Sequence, residues 1–404
     1  MTMKKLAFCL AAALLLAGCG TPAVIPAAPP APADPPAQQV LYAAAQAPLA
    51  PVLHAYAGDR GVALTLQEDA ALVLMDHAPA SAEGWQDLND DDLVQAAATR
   101  AGEQASPTVL PLGRALYGYW AHGTVLTALL GEGADAALRT ASWDEWLTFV
   151  QTLADWLAAP AETAVTLSGA DFTLPAALPQ GVALDGVFAP TLDAAPGYTA
   201  ALLAAGDQPT EETLAGPLNG LYSALVLEYD HQTSGTALFT RGKLNDLLAQ
   251  QGQEGCADLV LLPFKTELIE EDLATEEYNL TGLMDYPVLA PVGYAGIRAG
   301  ADEAQTLAAK SALLWLYASG EGERALTETL GVITPWKTAS DATALGAMQV
   351  QQSAEGILPG AELDAETVQA LLAAEQTLQT GAARTKAERQ AWRKAAAAAL
   401  TGQA

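Results

Sequence analysis

Residue types that carry covalent catalysis or bind metals are few and scattered in this sequence. The four histidines, His54, His77, His122 and His231, lack the spacing of a metal-binding motif such as His-Glu-x-x-His. The stretch from Gly235 to Lys243 has the wrong spacing for a phosphate-binding loop, and no Gly-x-Ser-x-Gly nucleophile elbow occurs. The sequence therefore predicts no catalytic residue, no metal site, no cofactor and no enzyme.

The three cysteines, Cys9, Cys19 and Cys256, lie in different surroundings. Cys19 follows two lysines, an apolar run and a stretch of small residues. This order is typical of a secretory signal peptide, and the apolar run is far shorter than the ~20 residues of a membrane-spanning helix. If Cys9 is removed with the signal peptide and Cys19 is modified, Cys256 has no cysteine to pair with. We therefore expect Cys256 to be buried by packing.

The segment Leu16-Ala17-Gly18-Cys19 resembles a bacterial lipobox. The resemblance implies cleavage of a signal peptide (residues 1–18) before Cys19, a diacylglyceryl group on the Cys19 thiol, and acylation of the new amino terminus. Two or more acyl chains, such as palmitate, hold a protein at a membrane. We therefore expect a lipid-anchored protein on the extracytoplasmic face of the cell membrane. The alternative is an ordinary signal peptide with an incidental cysteine.

The composition is that of a folded and strongly acidic protein. Hydrophobic residues make up 51 % and charged residues 16 % of the 404 residues, and the net charge is −29. The apolar content argues against disorder, and the length predicts two lobes rather than one core. The charge repels nucleic acid, so we expect no nucleic-acid partner, and it favours a cationic or neutral ligand.

Residues 19–38 are rich in proline and alanine and predict an extended tether with polyproline II character. The globular body begins at residue 39. Short apolar runs at residues 39–43, 62–66 and 71–75 alternate with helical patterns, which predicts βαβ units and a mostly parallel sheet. The carboxyl-terminal region is predicted to be largely helical.

Five stretches, in this order along the chain, resemble the extracellular solute-binding proteins of ABC importers, in the class that includes maltose- and oligosaccharide-binding proteins. They are Val40 to Leu66, Leu110 to Val125, Ala141 to Leu153 with its Ser-Trp-x-Glu helix start, Ala237 to Leu248 with its Phe-x-x-Gly-Lys element, and Tyr286 to Trp336.

The resemblance implies an α/β, two-lobed (Venus-flytrap) fold, in which each lobe is a mostly parallel sheet flanked by helices, with a helical carboxyl-terminal region. The first lobe would comprise residues 39–112 and 287–334, and the second residues 113–286 and 335–404. The chain would cross between lobes near 111–114, 285–291 and 335–337.

The same resemblance implies that a small solute, with a sugar favoured, is captured between the lobes and delivered to an ABC permease. A monomer is expected. The alternative is a structural or sensory envelope lipoprotein that keeps the fold without transport. Missing aromatic side chains motivate that alternative. Sugar binders of this family place aromatic residues after the Gly-Lys element and after the position of residue 359, but residues 251–257 and 361–371 contain none.

Six residues are candidates for ligand binding. Gln46, Asp76 and His77 follow strands of the first lobe, where this fold exposes its cleft, and the alternative for Asp76 and His77 is an exposed pair of loop residues. Arg114 lies at the first crossing, where a guanidinium can hold a carboxylate or two hydroxyls, although a salt bridge is the alternative. Tyr117 is expected to face the cleft. Tyr294 is expected near the cleft floor, with core packing as its alternative.

The tryptophans are predicted to serve packing rather than binding. Trp143, Trp146, Trp156 and Trp315 lie on helices rich in apolar neighbours and are predicted core residues. Trp336 is predicted to pack at the third crossing.

Overall fold

We analysed a computed structural model, which describes residues 39–88, 108–192, 197–198, 201, 209–265, 288–332, 358–359, 363–379 and 385–402. Residues from Gln39 onward form one compact unit. The signal peptide, Cys19, the tether, the third crossing and Trp336 lie outside the described residues. Among the helices of the described residues, none is long and apolar enough to cross a membrane.

Nine strands of the described chain form one sheet, and two more form a hairpin. The sheet strands are β1 (Val40–Ala45), β2 (Ala63–Leu66), β3 (Leu72–Met75), β4 (Val109–His122), β7 (Gly186–Phe188), β8 (Ala237–Lys243), β9 (Leu259–Leu262), β10 (Val288–Ile297) and β11 (Leu358–Pro359). The hairpin consists of β5 (Thr163–Leu167) and β6 (Ala170–Leu174). The sheet order is β2-β1-β3-β10-β4-β8-β7, with β9 also paired to β4 and β11 to β10.

The predicted α/β fold class is confirmed, although the sheet as a whole is mixed rather than mostly parallel. Strand β1 pairs in parallel with β2 and β3, as predicted for βαβ units. Strand β10, however, runs antiparallel to both β3 and β4, and β4 runs antiparallel to β8 and β9. Apolar runs predict that a strand is buried, but strand direction depends on distant partners that a local pattern does not reveal.

The pairing between β4 and β10 is irregular where the first two crossings are predicted. Arg114 lies opposite Pro291, and the register then shifts around Gly293. Gly113, the partner of Gly293, has a φ of 138°, a conformation that favours glycine. The pairing of these two long strands is therefore irregular at neighbouring positions of both.

The α-helices of the described chain are α1 (Ala50–Arg60), α2 (Gly123–Leu130), α3 (Ala134–Thr140), α4 (Trp143–Ala158), α5 (Ala215–Asp230), α6 (Leu244–Gly255), α7 (Glu303–Ala318), α8 (Gly320–Arg324), α9 (Ala365–Gln379) and α10 (Lys386–Leu400). A π-helical turn, Ala325–Thr329, follows α8. The predicted start of α4 is confirmed, because Ser142 and Glu145 form a capping box.

The buried apolar side chains form two clusters. The first core joins strands β1 and β3 with helices α1 and α7, and the second core joins helices α2 to α5 with β7, α9 and α10. Trp146 and Trp156 lie in the second core and Trp315 in the first, as predicted, whereas Trp143 is only partly buried.

Part of the predicted second lobe packs into the first core. Leu244, Leu247 and Leu248 of α6 belong to the first core, as do Trp120 and Leu261. Residues 113–286 therefore contribute to both cores, and the lobe boundaries stay a prediction. Cys256 is buried in the first core as predicted, and burial together with the nearby Asp258 carboxylate raises the pKa of its thiol to about 11.

Candidate functional site

A cavity of about 400 Å³ lies where strand ends from both cores meet, and we call it the cleft cavity. One wall is formed by Gln46, Asp76 and His77, together with Pro48 before α1. Gln46 follows β1, and Asp76 and His77 follow β3. Because β1 and β3 are neighbouring parallel strands, their carboxyl ends bring these side chains to one edge of the sheet.

A hydrogen bond connects the two loops of this wall. The side-chain oxygen of Gln46 accepts from the backbone N–H of Asp76 at 3.1 Å. The bond fixes the Gln46 carbonyl against the neighbouring loop and leaves its amide nitrogen as a donor for other groups.

The opposite wall comes from three further segments. Thr191 and Leu192 follow β7, and Lys243 and Asp246 lie at the junction of β8 and α6. Helix α9 supplies Val368, Gln369, Leu372, Glu375 and Gln376. The lining of the cleft cavity therefore includes elements of both cores.

Beneath this second wall lies a buried polar network centred on Arg241 of β8. The Arg241 side chain is 1 % exposed and that of Glu228 is 2 % exposed. The guanidinium donates to the Glu228 carboxylate at 2.9 Å, to the Tyr117 hydroxyl at 2.6 Å and to Thr191 Oγ1 at 3.0 Å. Tyr119 also donates to Glu228, at 2.6 Å.

Two members of the network reach the cleft cavity. Thr191 and Glu375 line it, and Glu375 lies 3.5 Å from Arg241 Nη2. The Tyr229 hydroxyl donates to Glu375. Burial raises the pKa of Glu375, and the neighbouring Arg241 cation and the Tyr229 hydrogen bond offset this only in part. Helix α9 is thus tied to the second core through a buried carboxyl group.

The structure brings three of the six predicted site residues together and places the other three elsewhere. Gln46, Asp76 and His77 share a wall of the cleft cavity. Arg114 is half-buried in β4 opposite Pro291, outside the lining of this cavity. Tyr294 is 4 % exposed and pairs with Met75 and Pro111, which corresponds to its alternative as a core residue.

The structure corrects the expected position of Tyr117. Its side chain is 0 % exposed in the second core, where it contacts the Phe264 ring. Its hydroxyl is held by Arg241 rather than offered to a ligand. The sequence placed an aromatic residue next to the crossing, but strand β8 and the Phe264 segment cover this part of β4.

Several lining residues were not predicted from the sequence. Lys243 belongs to the recognised Gly-Lys element, which was a signal available in the sequence, and Asp246 lies in the helix turn that follows. Glu375 and Gln376 carry no local signal, because only the long-range packing of α9 brings them to the cleft cavity.

A second cavity of about 550 Å³ adjoins the first, and Pro48 lines both. Its walls include Pro51 of α1, Asn245 and Leu248 of α6, and Glu328 of the π-helical turn.

The chemistry of the cleft cavity suits reversible binding. Amide, carboxylate, hydroxyl, ammonium and imidazole groups line it, and the lining contains no Phe, Tyr or Trp side chain among the described residues. Within the described part of the chain, no group of three or more His, Cys, Asp or Glu residues is placed to hold a metal ion. A cavity of this size lies within the range of small-molecule sites, ~300–1,000 Å³.

A scan against protein-family models finds no match for this sequence, and a search of the curated proteins finds none. Solved structures do resemble it. A maltose-bound MalE3 of T. maritima has a TM-score of 0.58 at 12 % identity, covering 90 % of this chain and 100 % of that one.

Two further structures show the same likeness. A Streptococcus pneumoniae solute-binding protein in complex with the blood group A-trisaccharide has a TM-score of 0.56 at 10 % identity, covering 90 % of this chain and 100 % of that one. The maltose-maltodextrin binding protein of Alicyclobacillus acidocaldarius has a TM-score of 0.51 at 12 % identity, covering 89 % and 100 %. This chain therefore has the two-lobed α/β fold of the solute-binding proteins.

Proposed function

We propose that this protein is a solute-binding protein rather than an enzyme, and that it captures a small solute, with a carbohydrate favoured, in the cleft cavity. The observation that carries this proposal is that residues from both cores line one cavity at strand ends. The structural neighbours named for maltose, maltodextrin and a trisaccharide support a sugar as the solute.

Binding at this place favours the closed arrangement of a two-lobed protein. A ligand shifts a conformational equilibrium only when it binds one state more tightly than the other. A sugar whose hydroxyls contact Gln46 on one wall and Gln376 on the other meets that condition, because the two walls come from different segments. Strands β4 and β10 contribute buried residues to both cores. We therefore place the hinge of this closure in these two strands.

A ligand screen tests this proposal. We expect at least one sugar from a panel of glucose, maltose, raffinose and chitin oligosaccharides to raise the melting temperature of the full-length protein. At a hundredfold excess over Kd, binding stabilises the folded state by ~2.7 kcal/mol, which a thermal-shift assay detects. No shift with any sugar would contradict the carbohydrate proposal.

We further propose that Cys19 carries the lipid anchor and that the protein delivers its solute to an ABC permease. The lipobox-like segment before Cys19 and the proline-rich stretch after it support the anchor. In bacteria fed labelled palmitate, Cys19→Ala should abolish labelling and release the protein from the membrane fraction. Cys256→Ala is the matched control and should remain labelled. Labelling that survives Cys19→Ala would contradict the anchor.

A structural or sensory lipoprotein is the second candidate function. The lack of a Phe, Tyr or Trp side chain in the described lining of the cleft cavity favours it, because sugar rings commonly stack on such aromatic faces. Uptake of a bound sugar by cells, lost on deletion of this protein, would decide for transport. Binding without any effect on uptake would decide for the second candidate.

A further inference from the structure

The carboxyl-terminal helix α10 concentrates positive charge on a strongly acidic protein. Four of the 18 lysines and arginines lie among its 15 residues, and Glu388 is the one acid in the helix, whereas the whole chain carries a net charge of −29. Thr385 and Glu388 form a capping box that fixes the first turn. The positions of these cations are therefore set by a regular, capped helix.

The cations lie along the side of α10 that points away from the protein. Trp392 and Ala396 bury the opposite side in the second core. Lys386, Gln390 and Lys394 are exposed and follow one another at intervals of four residues. Because residues four apart are neighbours on a helix surface, these three side chains form one row.

Three of the four cations on α10 have no acidic partner. The Arg389 guanidinium lies over the Tyr222 ring, 4.8 Å from its centroid. Lys386, Arg393 and Lys394 form no ion pair with any residue of the described ranges, and Arg393 Nε is buried without a hydrogen-bond partner there. Their positive charge is therefore available to a partner outside this chain.

Every other lysine and arginine of the described ranges has a partner within the protein. Even exposed arginines pair with acids, as Arg60 does with Asp59 at 3.4 Å and Arg324 with Glu321 at 3.3 Å. The chain has 47 acids for its 18 lysines and arginines, so acidic partners are abundant. The unpaired cations of α10 are thus an exception that indicates an anionic partner.

The side chains around these cations suit an anionic surface better than a protein pocket. Ala387 and Ala391 are exposed, and α10 has none of the large hydrophobic side chains that are exposed elsewhere in the described chain. Protein interfaces are centred on buried aromatic or aliphatic anchors, which are missing here. Lysine ammonium groups on flexible stems bind phosphates as point charges. We call Lys386, Gln390, Arg393 and Lys394 the basic face.

The negative net charge does not prevent contact between the basic face and an anionic membrane. Charges further from the membrane than the Debye length, ~8 Å at physiological ionic strength, are largely screened. Anchoring at Cys19 would keep the body close, because residues 19–38 reach at most ~60 Å when extended. Such tethering raises the effective concentration, so that a weak attraction suffices.

We propose, resting on the lipid anchor proposed at Cys19, that the basic face binds the anionic phosphate headgroups of the membrane to which the tether holds the protein. This contact orients the body, with α10 toward the lipid. Helix α9, which lines the cleft cavity, packs against α10, so the same contact sets the direction in which the cleft cavity opens.

Co-sedimentation with vesicles tests this assignment without the anchor. The chain from Gly20 onward is used, because it keeps the compact unit that begins at Gln39 and lacks the apolar run and Cys19. The vesicles contain phosphatidylcholine alone or equal parts of phosphatidylcholine and phosphatidylglycerol. Each cation near an anionic surface strengthens binding by about fivefold, so we expect at least about tenfold tighter binding to the anionic vesicles.

The same titrations at two salt concentrations show whether the attraction is electrostatic. Binding should be strong where the Debye length is ~30 Å and should weaken several-fold where it is ~8 Å. Equal binding to both kinds of vesicle, or binding to neither, would overturn the inference. Either result would leave the lipid anchor standing, because labelling with palmitate tests the anchor separately.

Variants of equal charge distinguish the basic face from the net charge. Lys386→Glu combined with Lys394→Glu should weaken binding to anionic vesicles by more than about tenfold. Arg60→Glu combined with Arg324→Glu is the matched control, because it changes the net charge equally at two exposed sites, and it should weaken binding less than about twofold. Equal losses in both pairs would overturn the inference. Sedimentation velocity showing a dimer that only the lysine pair abolishes would assign the basic face to a second copy of the chain and would also overturn it.

Discussion

Arg241 lies at the centre of a buried polar network beside the second core. Its guanidinium contacts Glu228, Tyr117, Thr191 and Glu375, and almost none of its surface is exposed. Burying a charge is costly unless partners compensate it, so each member of such a network depends on the others. The Glu228 carboxylate keeps Arg241 charged, and it raises the pKa of the guanidinium even though burial acts to lower it.

Arg241→Leu should destabilise the protein by about 3–5 kcal/mol, because it leaves the buried Glu228 carboxylate without its cation. The free energy of unfolding from denaturant titration measures the effect. Arg324→Leu is the matched control. Arg324 pairs with Glu321 at 3.3 Å, but the two side chains are 63 % and 49 % exposed, so the loss should stay under about 1 kcal/mol. Equal losses in both variants would contradict the account of the network.

Glu375 gives the protein a pH dependence of a specific sign. Burial raises the pKa of Glu375, so its contribution to stability is fully present below the pKa of an unfolded glutamate. That contribution is lost as the pH rises through the higher pKa of the folded state. Glu375→Gln removes the titration, and the variant should therefore gain stability relative to the wild type as the pH rises above the pKa of an unfolded glutamate, about 4.3.

Glu145 provides the opposite case for the same measurement. A hydrogen bond from the Ser142 backbone N–H lowers the pKa of Glu145, so its contribution is present at neutral pH and is lost as the pH falls. The stability that Glu145→Gln loses relative to the wild type should therefore be largest at neutral pH and shrink as the pH falls below the pKa of an unfolded glutamate, about 4.3. Denaturant titrations of both variants at several pH values would contradict the account if the two differences changed with pH in the same direction.

Individual site residues were predictable to different degrees. That Gln46, Asp76 and His77 lie together could be predicted, because strand ends in this kind of fold form the cleft and can be read from a local pattern, and their role in binding stays a prediction. Tyr117 could not be placed, because its burial depends on what strand β8 and Phe264 cover. Glu375 could not be found at all, because its role comes from contact with residues more than a hundred positions away.

At the scale of elements, strand β4 organises the molecule. Along one edge it pairs first with β10 and then with β9, and along the other edge it pairs with β8. Gly118 lies where β9 approaches, and a Cβ added there would be 2.4 Å from the carbonyl oxygen of Leu262. No substituent fits that space unless β9 moves.

Gly118→Ala should therefore destabilise the protein by about 1–3 kcal/mol, the usual cost of an overpacked interior. Gly58→Ala is the control. Gly58 lies on helix α1, and a Cβ there meets no atom within 4 Å, so alanine should stabilise the protein by about 0.5–1 kcal/mol. Chemical denaturation of both variants tests the pair. A Gly118→Ala protein as stable as the wild type would contradict the close packing of β9 on β4.

The elements themselves were largely predictable, and their arrangement was less so. The strands at 63–66 and 72–75 were predicted to within a residue at each end, and the start of α4 followed from its capping box. The stretch Leu110 to Val125 was singled out by resemblance without strand bounds, and strand β4 covers Val109–His122 within and beside it. The second half of β4 contains several aromatic residues and pairs with β8 and β9. These long-range contacts stabilise it, and local sequence propensity does not predict them.

For the whole molecule, the two long strands couple the cores. Leu116 and Trp120 of β4 lie in the first core, while Tyr117 and Tyr119 lie in the second. Strand β10 likewise divides its buried residues between the cores. Among the described residues, β4 and β10 are therefore the strands shared by both cores, and the irregular pairing of Gly113 with Gly293 lies between them.

The central claim is that one solute contacts both walls of the cleft cavity. Calorimetric titration of the tightest-binding sugar into Gln46→Ala and Gln376→Ala variants tests it most directly, with Gln151→Ala on the exposed face of α4 as the control. We predict a single site, an affinity about fivefold to tenfold lower in each of the first two variants, and no change in the control. An affinity that falls in only one of the two wall variants, or in neither, would contradict binding between the lobes.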